Sequence, residues 1–329
     1  MRLFGHLKRR DFLALLGAAA AWPLLARAQD YPTRSVTIIV PFTAAGTTDI
    51  LGRLCAQTLE TRLGKPFVVE NRPGAGQQIG VSAAAKSAPD GYTLLVATSS
   101  ALAINPTLYK KITYDPRNDF APIAMLAHVP FILLTNPSLP VKTVADLIAY
   151  AKQRPGQISF GSGGVGASHH LYGELLNSLA GLHMTHVPYK GTMPALNDLI
   201  AGHIQVLFSD APPALPQVKA GKVRALGVTM AKRLPSAPEI PPIGETVAGF
   251  DSAAWQMLSA PAATPRPIID RLHAELAQYI ASPEGQTRLT GLGLIPGEPM
   301  SPDELTRFVD SEIDKWGQLV RQAGAAGIE

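Results

Sequence analysis

The chain has 329 residues, of which 46% are hydrophobic and 16% are charged, and its formal net charge is +4 at pH 7. This balance is typical of a globular protein and argues against a disordered chain. The first 28 residues carry the whole net charge, so the remainder is formally neutral, which argues against a nucleic-acid-binding surface. Cys55 is the only cysteine, so no intrachain disulfide forms.

The N-terminal segment has the pattern of an export signal. Lys8-Arg9-Arg10 precedes an apolar run, Phe12–Leu25, and the small-residue triplet Ala26-Arg27-Ala28 follows it. An apolar run of about 14 residues is shorter than the roughly 20 that a membrane-spanning helix needs. The paired arginines favour the twin-arginine route, with an ordinary Sec signal as the alternative. We expect cleavage after Ala28 and a periplasmic mature protein large enough for two lobes.

Short β-rich runs alternate with helical patterns along the rest of the chain. The first run, Val36–Val40, is followed by apolar residues at helical spacing from Ile50 to Leu59. Further strands are predicted at Phe67–Glu70, Thr93–Ala97, Phe131–Thr135, Ile158–Phe160, Gln205–Phe208 and Ala225–Thr229. Helices are predicted at Gln77–Lys86, Val144–Lys152, Ser168–Ala180, Pro194–Ala201, Pro267–Ile280 and Pro302–Ala323. This alternation predicts an α/β fold in which mostly parallel sheets are flanked by helices.

Two extended segments, near residues 127–130 and 250–255, divide this pattern. If the chain crosses between two lobes at both places, the first lobe contains both chain ends. We therefore predict that residues 29–128 and 252–329 form lobe 1 and that residues 129–251 form lobe 2.

Two loops that each follow a strand and open a helix form the candidate binding site. The first is Pro41–Asp49 and the second is Gly161–His170. Small residues let the backbone approach a ligand closely, and free N–H groups at a helix start favour an anion. The second loop also matches G-x-G-x-x-G through Gly161, Gly163 and Gly166. No acidic residue follows about 20 positions later to hold a ribose, which disfavours a dinucleotide.

Signals for catalysis or metal binding are weak. Asp49, His170 and Asp210 are acid–base candidates, but nothing in their spacing places them together. The histidine pairs at 169–170 and 183–186 lack a carboxylate or thiolate set for a metal. We therefore predict no catalytic residue, no metal site and no cofactor, with an exported enzyme as the less favoured alternative.

A series of short motifs occurs in order along the mature chain. They are I-V-P-F at 39–42, E-N-R-P-G-A-G at 70–76, D-G-Y-T-L at 90–94, I-N-P-x-L-Y at 104–109, Y-D-P at 114–116, D-F-A-P-I at 119–123, H-V-P-Y-K-G at 186–191, G-K-V-R-A-L at 221–226 and A-P-A-x-T-P at 260–265. In these motifs the chain resembles the tripartite tricarboxylate transporter receptor family, also called the Bug family of extracytoplasmic solute receptors. The resemblance covers essentially the whole mature chain.

The resemblance implies a two-lobed periplasmic binding protein, expected to be a monomer, whose lobes close on a small carboxylate. The receptor would deliver that ligand to the membrane subunits of a tripartite transporter and would do no chemistry on it. A ligand-sensing receptor without a transporter is the alternative. The family's gripping loops map here onto the following residues: Phe42, Thr43, Ala44, Gly46, Thr48 and Asp49 in one lobe, and Ser162, Gly164, Gly166, Ser168 and His170 in the other. Ser99 is expected to line the cleft, with Tyr189 and Asp210 as pocket neighbours.

The chain departs from the family pattern at several loop positions. Thr43 replaces a proline, and Ala45 and Thr47 replace glycines of the first loop. Gln77 stands where another glycine is common, and Ala167 stands where a serine is usual. Extra side-chain atoms at glycine positions narrow the pocket or demand a different backbone conformation. The identity of the carboxylate therefore does not follow from the resemblance.

Overall fold

The computed structural model describes residues 31–328. The predicted export signal and its cleavage point at Ala28 lie outside the described residues. Eleven strands within residues 31–328 form two sheets. The six-stranded first sheet has the order β11-β4-β10-β3-β1-β2, with β1 at Val36–Val40, β2 at Phe67–Asn71, β3 at Thr93–Thr98, β4 at Phe120–Val129, β10 at Ala254–Pro261 and β11 at Ile295–Pro296. The five-stranded second sheet has the order β7-β6-β8-β5-β9, with β5 at Phe131–Thr135, β6 at Ser159–Ser162, β7 at Thr185–Pro188, β8 at Val206–Asp210 and β9 at Arg224–Val228.

Both sheets are mixed, whereas the sequence predicted mostly parallel sheets. In the described part of the chain, β1 pairs in parallel with β2 and β3, and β6 pairs in parallel with β7 and β8. The antiparallel pairings all involve β4, β5 or β10. These strands border the two passages of the chain between the sheets, since β4 leads into β5 and β9 is followed by β10. In four of the five antiparallel pairings one partner is β5 or β10, the strands that enter a sheet after a passage from the other; the fifth pairs β4 with β11.

Ten α-helices flank the sheets in the region 31–328. They are α1 at Thr47–Leu63, α2 at Gln78–Ala85, α3 at Asn105–Leu108, α4 at Val144–Lys152, α5 at Ser168–Ala180, α6 at Thr192–Ala201, α7 at Ala211–Lys219, α8 at Arg266–Ala281, α9 at Pro283–Gly291 and α10 at Pro302–Gln322. Capping boxes fix the starts of α4, through Thr143 and Asp146, and of α10, through Ser301 and Glu304. No helix within residues 31–328 is both long enough and apolar enough to cross a membrane.

Helix α10 joins the first sheet to the helices of the second. The ring of Trp316 is fully buried, and its centroid lies 6.0 Å from that of Tyr172 in α5. The indole N–H groups of Trp316 and Trp255 each donate to the same oxygen of Glu312, at 2.7 Å. Lys315 pairs with the other carboxylate oxygen at 3.0 Å. The buried carboxylate therefore has partners on both oxygens, as a charge in a protein interior requires.

Candidate functional site

The starts of three helices meet between the two sheets. Helix α1 begins at Thr47, α5 at Ser168 and α6 at Thr192, and each follows a strand of its sheet. None of the three has a side-chain hydrogen bond at its N-cap. The first N–H groups of a helix have no partner within the helix, and the helix dipole is positive at that end. This region therefore offers favourable electrostatics for an anion.

An inner cavity of about 30 Å³ lies at these helix starts. Its lining from the first sheet and its helices comprises Phe42, Thr43, Gly46, Thr47, Thr48, Thr98, Ser99, Ser100, Val129, Ala254, Trp255 and Gln256. The lining from the second sheet and its helices comprises Phe131, Ser168, His169, Thr192 and Asp210. A cavity of this size holds about two water molecules, so a larger ligand requires the walls to move apart. No lysine or arginine is among these described lining residues.

Side chains from the two sheets bond directly to each other across the inner cavity. The hydroxyl of Thr47 donates to Asp210 Oδ2. The hydroxyl of Ser100 lies 3.1 Å from that of Ser168 and accepts the Ser168 backbone N–H at 3.0 Å. Contacts of this kind exist only while the two walls are together, and they therefore stabilise the closed arrangement.

Asp210 is the hub of a buried polar cluster. His169 Nε2 lies 3.1 Å from Asp210 Oδ1, and the hydroxyl of Thr192 donates to the same oxygen at 3.0 Å. Burial opposes ionisation of Asp210, but the hydrogen bond and the electrostatic attraction to His169, followed by the hydrogen bonds from Thr47 and Thr192, outweigh it and lower the pKa of this carboxyl. Asp210 is therefore a charged residue in the cavity wall, and both of its carboxylate oxygens already have hydrogen-bond partners.

The carboxylate of Asp49 lies outside the lining of the inner cavity and holds the first loop in shape. It accepts the backbone N–H of Ala45 at 3.0 Å, the Asn71 amide at 3.0 Å and Arg53 Nε at 2.9 Å. Burial raises the pKa of Asp49, but the hydrogen bonds from Arg53, Ala45 and Asn71 lower it further than burial raises it. The Asp49 carboxylate therefore has three hydrogen-bond partners, on the first sheet, on its helix α1 and in the loop between them.

Two other predicted ligand contacts, Ser162 and His170, lie together in a cluster beside the second sheet. The ring of His170 stacks on that of His186, with centroids 4.1 Å apart. The hydroxyl of Ser162 lies 2.6 Å from His186 Nε2. Burial lowers the pKa of His170 to about 4, and burial together with the neighbouring His170 lowers that of His186 to about 3. Neither predicted residue is among those that line the inner cavity.

A larger outer cleft of about 820 Å³ lies beside the inner cavity, and Phe42 lines both. Predicted residues Gly164 and Tyr189 line this outer cleft. Ala44 is exposed and lines neither space. Gly166 also lies outside both, at φ +84°, where an added Cβ would stand 2.8 Å from Asn105 Oδ1 of the opposite wall. Gly166 therefore permits close approach of the walls.

The chain keeps a glycine-like backbone at two of its departures from the family pattern. Ala45 has φ +67° and Gln77 has φ +77°, both in the left-handed region. Left-handed backbone costs a residue with a side chain roughly 1–2 kcal/mol. At Thr47, a third departure, the added side chain supplies the bond to Asp210. Ala45 and Gln77 therefore adopt a backbone conformation that glycine tolerates best.

Several lining residues were not among the sequence predictions, notably Thr47, His169, Thr192 and Gln256. The Gln256 amide donates to Thr48 at 3.0 Å. Thr192 opens a helix after a strand, as the predicted loops do, so the same rule applied to β7 would have found it. Gln256 gave no such signal, because β10 was recognised only as an extended segment.

Within residues 31–328 no group of three or more histidine, cysteine or acidic side chains is arranged to hold a metal. Two sheets flanked by helices, with a cavity between them, define the fold of a two-lobed periplasmic binding protein. Residues 51–325 match the model of the tripartite tricarboxylate transporter family receptor. The chain belongs to that family, so the resemblance and the predicted fold class are confirmed.

Relatives and solved structures agree with this assignment. The protein BugT of Bordetella pertussis is 36% identical over 316 residues, which is 95% of each chain. The structure of R. palustris Rpa4515 with adipate has a TM-score of 0.88 at 40% identity and covers 91% of this chain and 100% of that one. The periplasmic binding protein BugD has a TM-score of 0.86 at 34% identity and covers 91% of this chain and 100% of that one.

Proposed function

We propose that this chain is a periplasmic receptor that captures a small carboxylate between its two lobes and delivers it to the membrane subunits of a tripartite tricarboxylate-type transporter. The observation that carries the proposal is the meeting of helix starts from both sheets at one cavity without lysine or arginine. Backbone N–H groups and hydroxyls, as opposed to basic side chains, would then hold the anion. A similar chain has been solved with adipate, a dicarboxylate, which supports this ligand class.

The proposed lobe boundaries are those predicted from the sequence, with residues 129–251 forming lobe 2. The division of the strands between two sheets supports them, since β4 ends at Val129 and β5 begins at Phe131. A ligand that contacts α1 of lobe 1 and both α5 and α6 of lobe 2 favours the closed state. The ligand can shift the equilibrium between the open and closed states only by the difference between its affinities for those two states. We expect the receptor to work as a monomer.

The first test is a thermal-denaturation screen of the mature protein, beginning at Gln29, with aliphatic, aromatic and amino-acid carboxylates. A ligand at about 100 times its Kd stabilises the folded state by about 2.7 kcal/mol, which at this chain length is a shift of several degrees in Tm. Adipate and its uncharged diamide form a matched pair of probes. Stabilisation by the diamide but by no carboxylate would contradict the anion site.

A second experiment separates the receptor from its alternatives. Carboxylate recovered unchanged after prolonged incubation is expected of a receptor, whereas conversion would indicate an enzyme. Uptake of labelled ligand by cells should require both this protein and the membrane subunits. Binding without any contribution to uptake would favour a sensing receptor.

A further inference from the structure

Gln256 carries a buried hydrogen-bond acceptor that has no donor. The residue belongs to β10, lines the inner cavity and is 7% exposed. Its amide Nε2 donates to the hydroxyl of Thr48 at 3.0 Å, at the start of α1. Its amide Oε1 is buried and accepts no hydrogen bond from any residue in the range 31–328. A buried polar atom without a partner costs free energy, so this oxygen calls for a donor from outside the chain.

The hydroxyl on the neighbouring strand does not supply that donor. Thr98 of β3 is directly opposite Gln256 in the sheet, so the two side chains lie on the same face, and both residues line the inner cavity. The single hydroxyl proton of Thr98 goes to Gln77 Oε1 at 2.6 Å, and its oxygen accepts the Ala101 backbone N–H at 3.1 Å. The Gln256 amide therefore stands between Thr98 and Thr48, two residues of the cavity wall, and receives a proton from neither.

The contact with Thr48 places this acceptor next to the expected position of the ligand carboxylate. Thr48 is the second residue of α1, and the N–H groups of the first helical turn have no partner within the helix. Oε1 shares its carbon atom with the nitrogen that donates to Thr48, so it lies beside this helix start. A carboxylate oxygen carries no proton and cannot donate to Oε1. A ligand held by its carboxylate at the helix start therefore needs a separate donor close by, and the adjacent carbon is the nearest place for one.

We propose that Gln256 makes the receptor selective for carboxylates that carry a hydrogen-bond donor, a hydroxyl or an ammonium group, on the carbon next to the carboxylate. The proposal rests on the proposed function, since it assumes that a carboxylate enters the inner cavity. The ligand carboxylate accepts from N–H groups at the helix starts, while the neighbouring donor gives its proton to Oε1 of Gln256. A ligand without that donor leaves Oε1 buried and unpaired, which should lower its affinity about tenfold or more.

The test is isothermal titration of the mature protein with succinate, L-malate and L-aspartate, which share one carbon skeleton and differ only at the carbon next to a carboxylate. We expect L-malate or L-aspartate to bind at least about tenfold more tightly than succinate, and the stronger of the two identifies the donor as hydroxyl or ammonium. If none of the three binds, the same comparison uses the strongest binder of the thermal screen with its 2-hydroxy and 2-amino derivatives. Equal affinities, or tightest binding of the ligand without a donor, would overturn the proposal while leaving the carboxylate receptor intact.

Two variants form a matched pair. Gln256→Met keeps the length of the side chain and removes the acceptor, so the affinities for the three ligands should come within about threefold of each other. Gln77→Met makes the same replacement at an amide that lines the outer cleft and whose unpaired atom, Nε2, is a donor. A donor suits every carboxylate, so the preference should persist in this control. A wild-type preference that survives in Gln256→Met would overturn the proposal. If no carboxylate binds the wild-type protein, the proposed function itself fails.

Discussion

The hydroxyl of Thr47 provides the most direct test of how the closed arrangement is stabilised. It belongs to α1 and donates to Asp210, which ends a strand of the second sheet. Thr47→Val keeps the shape of the side chain and removes the donor. A hydrogen bond to a charged group contributes about 1.5–3 kcal/mol. In the open state both groups are hydrated, so this free energy is lost from closure and not from the stability of either lobe.

The expected consequence is a closing equilibrium weakened by roughly ten- to hundredfold, since each 1.4 kcal/mol is a factor of ten. The same factor should appear in the apparent Kd of a carboxylate when the open form predominates in the free protein. Isothermal titration measures the affinity, and small-angle X-ray scattering measures the accompanying increase in radius of gyration.

Thr192→Val is the matched control. Thr192 donates to the other oxygen of the same carboxylate, at 3.0 Å, but it lies on the same side of the cavity as Asp210. Its loss should therefore lower the stability of lobe 2 with less effect on closure. Unchanged affinity and an unchanged radius of gyration in Thr47→Val would refute the proposal that the hydrogen bond between Thr47 and Asp210 stabilises the closed state.

Three further predictions concern other sites. Gly166→Ala should weaken ligand binding and lower Tm, because its methyl group would stand 2.8 Å from an amide oxygen of the opposite wall; Gly156→Ala, with a similar φ of +75° and nothing within 4 Å, is its control in the same assays. Ala45→Gly should raise the free energy of unfolding, measured by urea denaturation, by up to about 1 kcal/mol because it relieves a left-handed backbone, whereas Ala44→Gly should lower it. Burial lowers the pKa of His170 from its usual 6.5 to about 4. As the pH falls, the unfolded chain binds a proton at this histidine before the folded protein does. The free energy of unfolding, measured by urea denaturation, should therefore fall by up to about 3 kcal/mol between about pH 6.5 and 4. His170→Gln should make this decrease smaller.

The regular part of the fold could be predicted from the sequence because its signals are local. The run Val36–Val40 and the helical spacing after it match β1 and α1, and the prolines and caps locate the starts of the last helices. The strand directions could not be predicted, since they depend on how β5 and β10 enter the sheets. A run of buried residues looks the same in a parallel and in an antiparallel strand.

The site was only partly predictable for a related reason. The search for loops that follow a strand and open a helix led to Thr48 and Ser168, which line the inner cavity. It also led to His170, whereas the histidine that lines the cavity is His169. Neighbouring residues on a helix point about 100° apart, so one of two adjacent histidines contacts the cavity and the other the stacked cluster. Asp49 was a reasonable candidate as a charge at a helix start, and only the fold shows that three donors already surround it.

The carboxylate of Glu312 has a spectroscopic consequence. The sequence contains three tryptophans, and one of them, Trp22, lies in the predicted export signal. The mature protein would then keep Trp255, which lines the inner cavity, and Trp316, and both donate to Glu312. Tryptophan fluorescence of the unlabelled receptor therefore comes from two indoles that share one hydrogen-bond acceptor, one of them in the cavity wall. Ligand entry should change its intensity and wavelength, which would report occupancy in real time without any attached dye.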